Sequence, residues 1–345
     1  MNLFIQYQRA ASLLFLFVFI AGCGDSGKEH FTLAGSTMGT TYHITVLERE
    51  GIKSNQQELQ QAIDQQLLLI NQQMSTYQDD SELSKFNRAL VGEWVNVSAN
   101  LFDILVMSME LSWLTGGAFD ITVGPLVNLW GFGPDGLDMP STVPDAGNIK
   151  ALLEQSGFQA IELALDDNSI RKTKPVILDL SAIAKGYGVD KVAELLLYAG
   201  YTDFMVEIGG ELRLAGNSPR GTPWRIAIEQ PDANAFGQSN KAVQVSGVSI
   251  ATSGDYRNYF EQDGKRYSHT IDPTTGYPTD HSLASITVIA DSSAYADGLA
   301  TALNVLGPEK ALQLAEQQGL AIYMLVKTEQ GFAAQYSEAF KPYLQ

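Results

Sequence analysis

Residues 176–208, VILDLSAIAKGYGVDKVAELLLYAGYTDFMVEI, contain the clearest run of predicted secondary structure in the chain. The apolar residues 176–180 predict a strand, and Ser181 can cap a helix that runs to Tyr198 and closes at Gly200. A second strand is predicted over residues 204–208. Whether this strand–helix–strand unit repeats along the chain determines the fold class.

Outside this segment, helices and strands do not alternate regularly. Apolar side chains at helical spacing from Leu59 to Met74 predict an amphipathic helix over residues 55–77. Further helices are predicted over residues 102–113 and 292–307, and strands over residues 43–47, 224–229, 243–251, 285–290 and 321–326. Because regular βαβ repeats are missing, the pattern favours an α+β fold over a doubly wound sheet. We expect one compact unit over residues 31–345.

Composition excludes several classes of protein. The chain has 345 residues, of which 45% are hydrophobic and 18% charged, so it is globular and not disordered. It has 22 basic and 39 acidic residues, a formal net charge of −17, which disfavours nucleic acid as a partner. A single cysteine and four histidines leave no material for a disulfide framework or a thiolate-rich metal site. A bound metal would need oxygen ligands, which points to Mg²⁺ or Ca²⁺.

The N-terminus resembles a bacterial lipoprotein signal. An unbroken apolar run over residues 11–21 follows Arg9 and is too short for an ordinary membrane span. It ends in Ile20-Ala-Gly-Cys23, similar to a lipobox. We expect residues 1–22 to be a signal peptide, Cys23 to be lipidated, and residues 23–30 to be a spacer of at most roughly 30 Å. A plain secretory signal or an uncleaved anchor is the alternative.

Familiar nucleotide-binding and hydrolase motifs are missing. The chain has no G-x-x-x-x-G-K-[ST], no G-x-G-x-x-G after a strand, and no G-x-S-x-G, which disfavours P-loop, Rossmann and α/β-hydrolase enzymes. Polar, glycine-rich segments stand instead at the ends of predicted elements, where binding residues tend to lie. The predicted helix start near Ser181, with Lys185 one turn later, is suited to an anion.

Asp297 and Thr301 are four residues apart in a predicted helix, so their side chains share one face. A carboxylate and a hydroxyl on one face are hard oxygen ligands that suit Mg²⁺. The alternative is a threonine bonded back to its own helix beside a solvated aspartate, which is the usual outcome for an isolated D-x-x-x-T.

Taken together and in order, these segments resemble the ApbE-like FAD:protein FMN transferases of bacteria, from about Phe31 to the C-terminus. The matching motifs are T-M-G-T (37–40), M-S-T-Y (74–77), S-E-L-S-K-F-N (81–87), T-G-G-A-F-D (115–120), G-P-L-V-N-L-W-G-F-G (124–133), D-L-S-A-I-A-K-G-Y (179–187), G-G-E (209–211), T-S-G-D-Y-R-N-Y (252–259), H-T-I-D-P-T-T-G-Y-P (269–278) and D-G-L-A-T (297–301). The resemblance implies a T-fold-like α+β domain with a largely antiparallel sheet.

The resemblance also assigns site residues. Those that fall on the family's FAD contacts are Met38, Tyr77, Ala118, Phe119, Asp120, Asp179, Lys185 and Ile271. Those that fall on its Mg²⁺ ligands are Ala182, through its carbonyl, Asp297 and Thr301. Because the FAD pyrophosphate is anionic and the chain is acidic, Arg257 is expected to help Lys185 and Mg²⁺ compensate the charge.

The implied reaction transfers FMN from FAD to a threonine hydroxyl of a target protein, with AMP as the leaving group. His269, in the loop that resembles the family's nucleotide-contacting segment, is the predicted general base, with His281 as its rival. Implied targets are subunits of Na⁺-pumping NADH:quinone reductase or Rnf-type complexes, on the periplasmic face of the inner membrane. Two alternatives stay open: an Mg²⁺-dependent FAD pyrophosphatase, and a flavin-binding lipoprotein without catalysis.

Overall fold

The structure is a computed structural model. The structure describes residues 27–48, 51, 55–133, 142–231, 239–254 and 259–344. Within them the helices are α1 (Gln56–Met74), α2 (Glu82–Arg88), α3 (Ala99–Leu114), α4 (Gly124–Leu129), α5 (Ala146–Gln155), α6 (Ala184–Tyr198) and α7 (Ser293–Gln318). The strands are β1 (His30–Thr37), β2 (Thr40–Leu47), β3 (Val95–Asn96), β4 (Ile161–Ala164), β5 (Ser169–Lys172), β6 (Phe204–Ile208), β7 (Glu211–Ala215), β8 (Trp224–Glu229), β9 (Ser239–Val245), β10 (Val248–Gly254), β11 (Tyr259–Gln262), β12 (Lys265–Ser268), β13 (Leu283–Ala290), β14 (Ala321–Thr328) and β15 (Gly331–Tyr336).

One eight-stranded sheet organises the molecule, in the order β1-β2-β6-β7-β10-β13-β14-β15. Every neighbouring pair in it is antiparallel. Smaller sheets are formed by β3-β5-β4, β8-β9 and β11-β12. The described residues therefore confirm the α+β class and the largely antiparallel sheet.

Both faces of the main sheet are buried at strands β13 and β14. Successive residues of β13 alternate between two core clusters, with Val288 on one face and Ile289 on the other. Helices α1, α3, α6 and α7 cover the first face, and the β8–β9 hairpin and the C-terminal residues around Phe340 cover the second. This explains why residues 283–289 are all buried although strands with one wet face would alternate.

Two helices pack closely where they carry predicted site residues. A Cβ at Gly186 of α6 would clash with the Ser293 carbonyl at the start of α7. Asp190, one turn later on α6, accepts hydrogen bonds from Arg213, from the Ser292 hydroxyl and from the backbone of Ser293 and Ala294. The start of α7 is thus fixed against α6 by a buried carboxylate.

Four local predictions need correction. Residues 176–180 are extended but belong to no sheet, because the Asn87 side chain bonds both the backbone N–H and the carbonyl of Leu178. Ser181 does not cap α6, which begins at Ala184 without a side-chain cap. The final helix does not stop at Gly307 but kinks there and continues to Gln318. The strand predicted over 243–251 is two strands, β9 and β10.

The predicted spacer is shorter than expected. The Lys28 N–H donates to the Pro219 carbonyl at 2.7 Å, and β1 already begins at His30. In the β1–β2 hairpin His30 pairs with Leu47 at one end, and Thr37 pairs with Thr40 at the other. The hairpin thus separates His30 from Thr40 by roughly 25 Å.

No helix among the described residues is both long enough and apolar enough to cross a membrane.

Candidate active site

A cavity of about 800 Å³ opens where the β6–β7 turn, strand β10 and helix α7 meet the loop before α4. It is lined by Thr40, by Gly209 and Gly210 of the turn, and by residues of β8. Eleven predicted site residues line it: Tyr77, Ala118, Phe119, Asp120, Asp179, Ala182, Lys185, His269, Ile271, Asp297 and Thr301. Segments far apart in sequence therefore converge on one cavity.

Asp297 and Thr301 do not follow the alternative drawn from the sequence. Asp297 is only 5% exposed, and its Oδ2 accepts the Gly186 N–H at 3.0 Å. Within the described residues, the Thr301 hydroxyl makes no hydrogen bond back to its own helix. Both side chains line the cavity, so the carboxylate is buried and the hydroxyl is available to a ligand.

The same contact exposes the Ala182 carbonyl. In a regular helix the Gly186 N–H would bond the carbonyl four residues earlier, that of Ala182. Here Gly186 donates to Asp297 instead, while the next N–H, that of Tyr187, bonds Ile183 at 3.1 Å. In the described part of the chain the Ala182 carbonyl therefore has no backbone donor. Asp297 takes the N–H that could otherwise bond this carbonyl, so the Ala182 oxygen stays available to a ligand.

Lys185 lies between two buried carboxylates. Its Nζ donates to Glu211 Oε1 at 2.8 Å and lies 3.5 Å from Asp297 Oδ2. Burial alone would lower the pKa of Lys185, but the two carboxylates outweigh it and raise that pKa. Burial raises the pKa of Asp297, and Lys185 opposes the shift. The three groups form one coupled electrostatic unit at the cavity wall.

His269 lies in the cavity wall directly after β12, and the ring of Phe132 meets it edge-on at 6.4 Å. His281, the rival base, is not part of the cavity wall. Its Nε2 lies 2.7 Å from the Asn304 carbonyl, and its Nδ1 accepts the Leu283 N–H at 3.3 Å. Both nitrogens of His281 contact backbone groups, so among the histidines of the described residues His269 is the one placed to exchange a proton in the cavity.

Tyr77 provides an aromatic surface at the cavity rim. Its side chain is large and 59% exposed, which is unusual for an aromatic residue that packs in a core. Partial burial and the nearby Asp179 carboxylate raise the pKa of Tyr77. The phenol is therefore neutral at physiological pH and presents an uncharged ring to a ligand.

Acidic groups dominate the cavity wall. Among the described lining residues only Lys185 carries a full positive charge, whereas the carboxylates are Asp120, Asp179, Glu207, Glu211, Glu229 and Asp297. The described residues contain no cluster of three or more His, Cys, Asp or Glu side chains arranged to hold a metal. A cation here would therefore rely on mixed oxygens: the Ala182 carbonyl, the Asp297 carboxylate and the Thr301 hydroxyl.

Comparison with known proteins matches this sequence and geometry to one family. The model of the ApbE family matches residues 38–324. The chain belongs to the ApbE family. Its relatives include the FAD:protein FMN transferase of Vibrio cholerae, 46% identical over 97% of both chains, and that of Escherichia coli K12, 39% identical over 99% of this chain and 98% of the relative.

Solved ApbE structures share the fold. The flavin transferase ApbE from Vibrio cholerae superposes with a TM-score of 0.85 at 45% identity, covering 92% of this chain and 99% of that one. The Pseudomonas stutzeri flavinyl transferase ApbE, in its apo form, gives a TM-score of 0.84 at 40% identity, covering 92% and 98%.

Some residues assigned by resemblance to ApbE proteins lie differently from expectation. Met38 is not part of the cavity wall; its methyl group lies close to Gly188 of α6, between two core clusters. It adopts φ +49° in the turn between β1 and β2, so it shapes the turn that presents Thr40. Arg257 and Cys23 fall outside the described residues.

Asp120 lines the cavity but uses its carboxylate internally. Its Oδ1 accepts the Thr122 N–H and hydroxyl, and its Oδ2 accepts the Phe158 N–H at 2.9 Å. Burial raises the pKa of Asp120, and these hydrogen bonds oppose the shift. Asp120 therefore holds the loop before α4 in shape, in addition to lining the cavity.

Most backbone donors at the helix start near Ser181, which the sequence suggested as an anion site, bond to the protein itself. The Ser181 N–H bonds Asp179 Oδ1, the Ala184 N–H bonds the Leu180 carbonyl, and the Gly186 N–H bonds Asp297. These donors are consumed within the protein. Positive charge at this position comes from Lys185 instead.

Sequence reasoning assigned no role to Glu211, the last residue of the Gly-Gly-Glu motif. It is 4% exposed, lines the cavity and bonds Lys185. The signal that could have found Glu211 was a charged residue directly after two glycines, at the start of a strand. Both glycines have positive φ, 59° and 105°, and form the turn that delivers Glu211 to the site.

Proposed function

We propose that this protein is an Mg²⁺-dependent FAD:protein FMN transferase that attaches FMN to a threonine hydroxyl of target proteins and releases AMP. The observation that carries the proposal is the convergence of His269, Lys185 and the Ala182–Asp297–Thr301 oxygens on one cavity. The names of the relatives, FAD:protein FMN transferase, support it over nearly the full length of the chain.

The charge of the cavity supports a divalent cation. The FAD pyrophosphate carries two negative charges, and the described wall offers several carboxylates but one ammonium group. Such a wall would repel the substrate without an added cation. The Ala182 carbonyl, which lacks a backbone donor, together with Asp297 and Thr301, is a hard oxygen set that fits Mg²⁺. Bound there, the ion would screen the phosphate oxygens and the charge that develops on AMP.

The proposed chemistry is a phosphoryl-type displacement. The target threonine oxygen forms a bond to the FMN-side phosphorus, and the bond from that phosphorus to the AMP oxygen breaks. His269 accepts the threonine proton, because it is the described histidine that lines the cavity, whereas both ring nitrogens of His281 contact backbone groups outside the cavity wall. Lys185 and Arg257 lower the electrostatic cost of the pyrophosphate.

Tyr77 distinguishes transfer from hydrolysis in this proposal. An FAD pyrophosphatase would use the same cavity with water in place of the threonine. An exposed aromatic ring at the rim can cover one face of the isoalloxazine and limit water at the phosphorus. The position of His269 in the wall disfavours the third candidate, a flavin-binding lipoprotein without catalysis.

We also propose that the protein is exported and anchored through lipidated Cys23 at the periplasmic face of the inner membrane. The chain is fixed to the body from Lys28 onward, so the tether from Cys23 spans about 17 Å at most. Adding the length of the β1–β2 hairpin, the cavity stays within roughly 40 Å of the membrane. Target threonines in subunits of Na⁺-pumping NADH:quinone reductase or Rnf-type complexes would need to lie within that distance.

The test is incubation of the protein with FAD, Mg²⁺ and a candidate target subunit, followed by mass measurement of the subunit. Transfer adds the mass of FMN to the subunit. Hydrolysis gives AMP and free FMN with an unchanged subunit, and a binding protein leaves FAD intact. Either of the last two results would reject the proposal.

A further inference from the structure

Glu211 has one carboxylate oxygen that nothing in the described structure satisfies. Its Oε1 accepts the Lys185 ammonium at 2.8 Å, but its Oε2 is buried and has no hydrogen-bond partner among the described residues. A buried carboxylate oxygen without a partner is costly, because it has lost its water without replacement. A buried oxygen without a hydrogen-bond partner in a cavity wall indicates a bound ligand that supplies the missing contact.

The Glu211 carboxylate already shares a cation with Asp297. The Lys185 Nζ lies 2.8 Å from Glu211 and 3.5 Å from Asp297, so the two carboxylates converge on one ammonium group. Both carboxyl groups are buried, and both lie in the same cavity wall. Carboxylates that share one ammonium can also share a divalent cation.

Glu207 provides the contrast. It lies in the same wall on the neighbouring strand, but both of its oxygens are engaged. One accepts the Gly210 N–H at 2.7 Å, and the other meets His43 Nδ1 at 2.8 Å. The unsatisfied oxygen is thus a property of Glu211 and not of every carboxylate in this wall.

We propose that Glu211 is a second carboxylate of the cation site: one oxygen holds Lys185, and the other binds the divalent cation or a water attached to it. This inference rests on the proposed function, because it places Glu211 beside the Ala182–Asp297–Thr301 oxygens. In this arrangement Lys185 competes with the cation for the two carboxylates. When no cation is bound, the Lys185 ammonium group stabilises them.

The experiment measures Mn²⁺ binding to the full chain without FAD, by the loss of the free-ion electron paramagnetic resonance signal. Glu211→Gln should weaken Mn²⁺ binding at least tenfold, as expected when a group that supports a metal is removed. The control Glu207→Gln removes a charge from the same wall and should change the affinity less than twofold. Asp297→Asn should abolish binding, and Lys185→Met should strengthen it.

A double variant separates direct from indirect action. If Glu211 only positions Lys185, then Glu211→Gln should have no effect in the Lys185→Met background. We expect the same loss of at least tenfold there. In the Lys185→Met/Glu211→Gln variant both partners of the buried Lys185–Glu211 pair are replaced, so neither is left as an unpaired charge. This double variant can therefore be used if the single Glu211→Gln variant fails to fold.

Unchanged Mn²⁺ affinity in Glu211→Gln, with loss in Asp297→Asn, would overturn the role of Glu211 and leave the proposed cation site intact. Unchanged affinity in both variants would overturn the cation site itself. Equal losses in Glu207→Gln and Glu211→Gln would mean that only the overall charge of the wall matters, and would also reject the assignment.

Discussion

Replacing Asp190 with asparagine should strongly destabilise the protein. Asp190 is 6% exposed and accepts four hydrogen bonds: from Arg213 at 2.6 Å, the Ser293 N–H at 3.0 Å, the Ser292 hydroxyl at 2.8 Å and the Ala294 N–H at 2.9 Å. An amide has one accepting atom, so in either orientation its NH₂ group faces donors. Two buried hydrogen bonds and one buried ion pair are lost.

The magnitude follows from these contacts. Hydrogen bonds to a charged group contribute about 1.5–3 kcal/mol each, and breaking a buried ion pair costs about 3–5 kcal/mol in total. We therefore expect the free energy of unfolding to fall by about 3–5 kcal/mol. In thermal denaturation this lowers the melting temperature by on the order of 10 °C. FAD affinity at 25 °C should change only a few-fold, because Asp190 does not line the cavity.

Glu194→Gln is the matched control on the same helix. Glu194 pairs with Lys191 at 2.9 Å, but its side chain is 54% exposed, and exposed pairs contribute little. Its melting temperature should stay within about 1 °C of the wild type. If Asp190→Asn melts within 2 °C of the wild type, the Asp190 network does not hold the start of α7, and the explanation of how α7 is positioned is wrong.

Four further substitutions probe the site and the anchor. Tyr77→Asn should raise the release of FMN and AMP relative to transfer, or weaken FAD binding by about 1 kcal/mol through the lost aromatic contact; no change in product ratio or affinity would refute its flavin contact. His269→Ala should keep FAD affinity within a few-fold yet slow flavinylation by roughly 10²–10⁴, whereas His281→Ala should lower the melting temperature and leave the rate at saturating FAD nearly unchanged; the reverse pattern would exchange their roles. Cys23→Ser should block incorporation of labelled palmitate, and label that still enters this variant would contradict lipidation.

Local patterns predicted the regular elements well. The apolar positions of residues 55–77 are the buried residues of α1, and Ser292 caps α7 through the Tyr295 N–H. Strands β6 and β8 begin and end at the predicted residues. In each case the deciding interaction lies within a few residues along the chain, where periodicity and capping rules apply.

Predictions failed where a distant side chain replaced a local partner. Residues 176–180 have a strand-like sequence, but Asn87 takes the backbone hydrogen bonds of Leu178, so no neighbouring strand pairs there. In the first turn of α6, Asp297 from another helix binds the Gly186 N–H. Neither partner is visible from local sequence.

The candidate site shows the same division. Motif resemblance found eleven cavity residues because each stands in a distinctive local segment. It missed Glu211, whose importance lies in its contact with Lys185, 26 residues earlier in the chain. It also could not tell that the Asp120 carboxylate is used by Thr122 and Phe158.

The most direct test of FMN transfer is the ratio of AMP released to FMN bound covalently to the target subunit in one turnover. The protein, FAD, Mg²⁺ and the subunit are mixed, and AMP and flavinylated subunit are counted in the same sample. A transferase that excludes water gives one AMP for each FMN bound, and we expect that ratio. AMP formed together with free FMN, and without modified subunit, would contradict transfer and identify the cavity as a site of FAD hydrolysis.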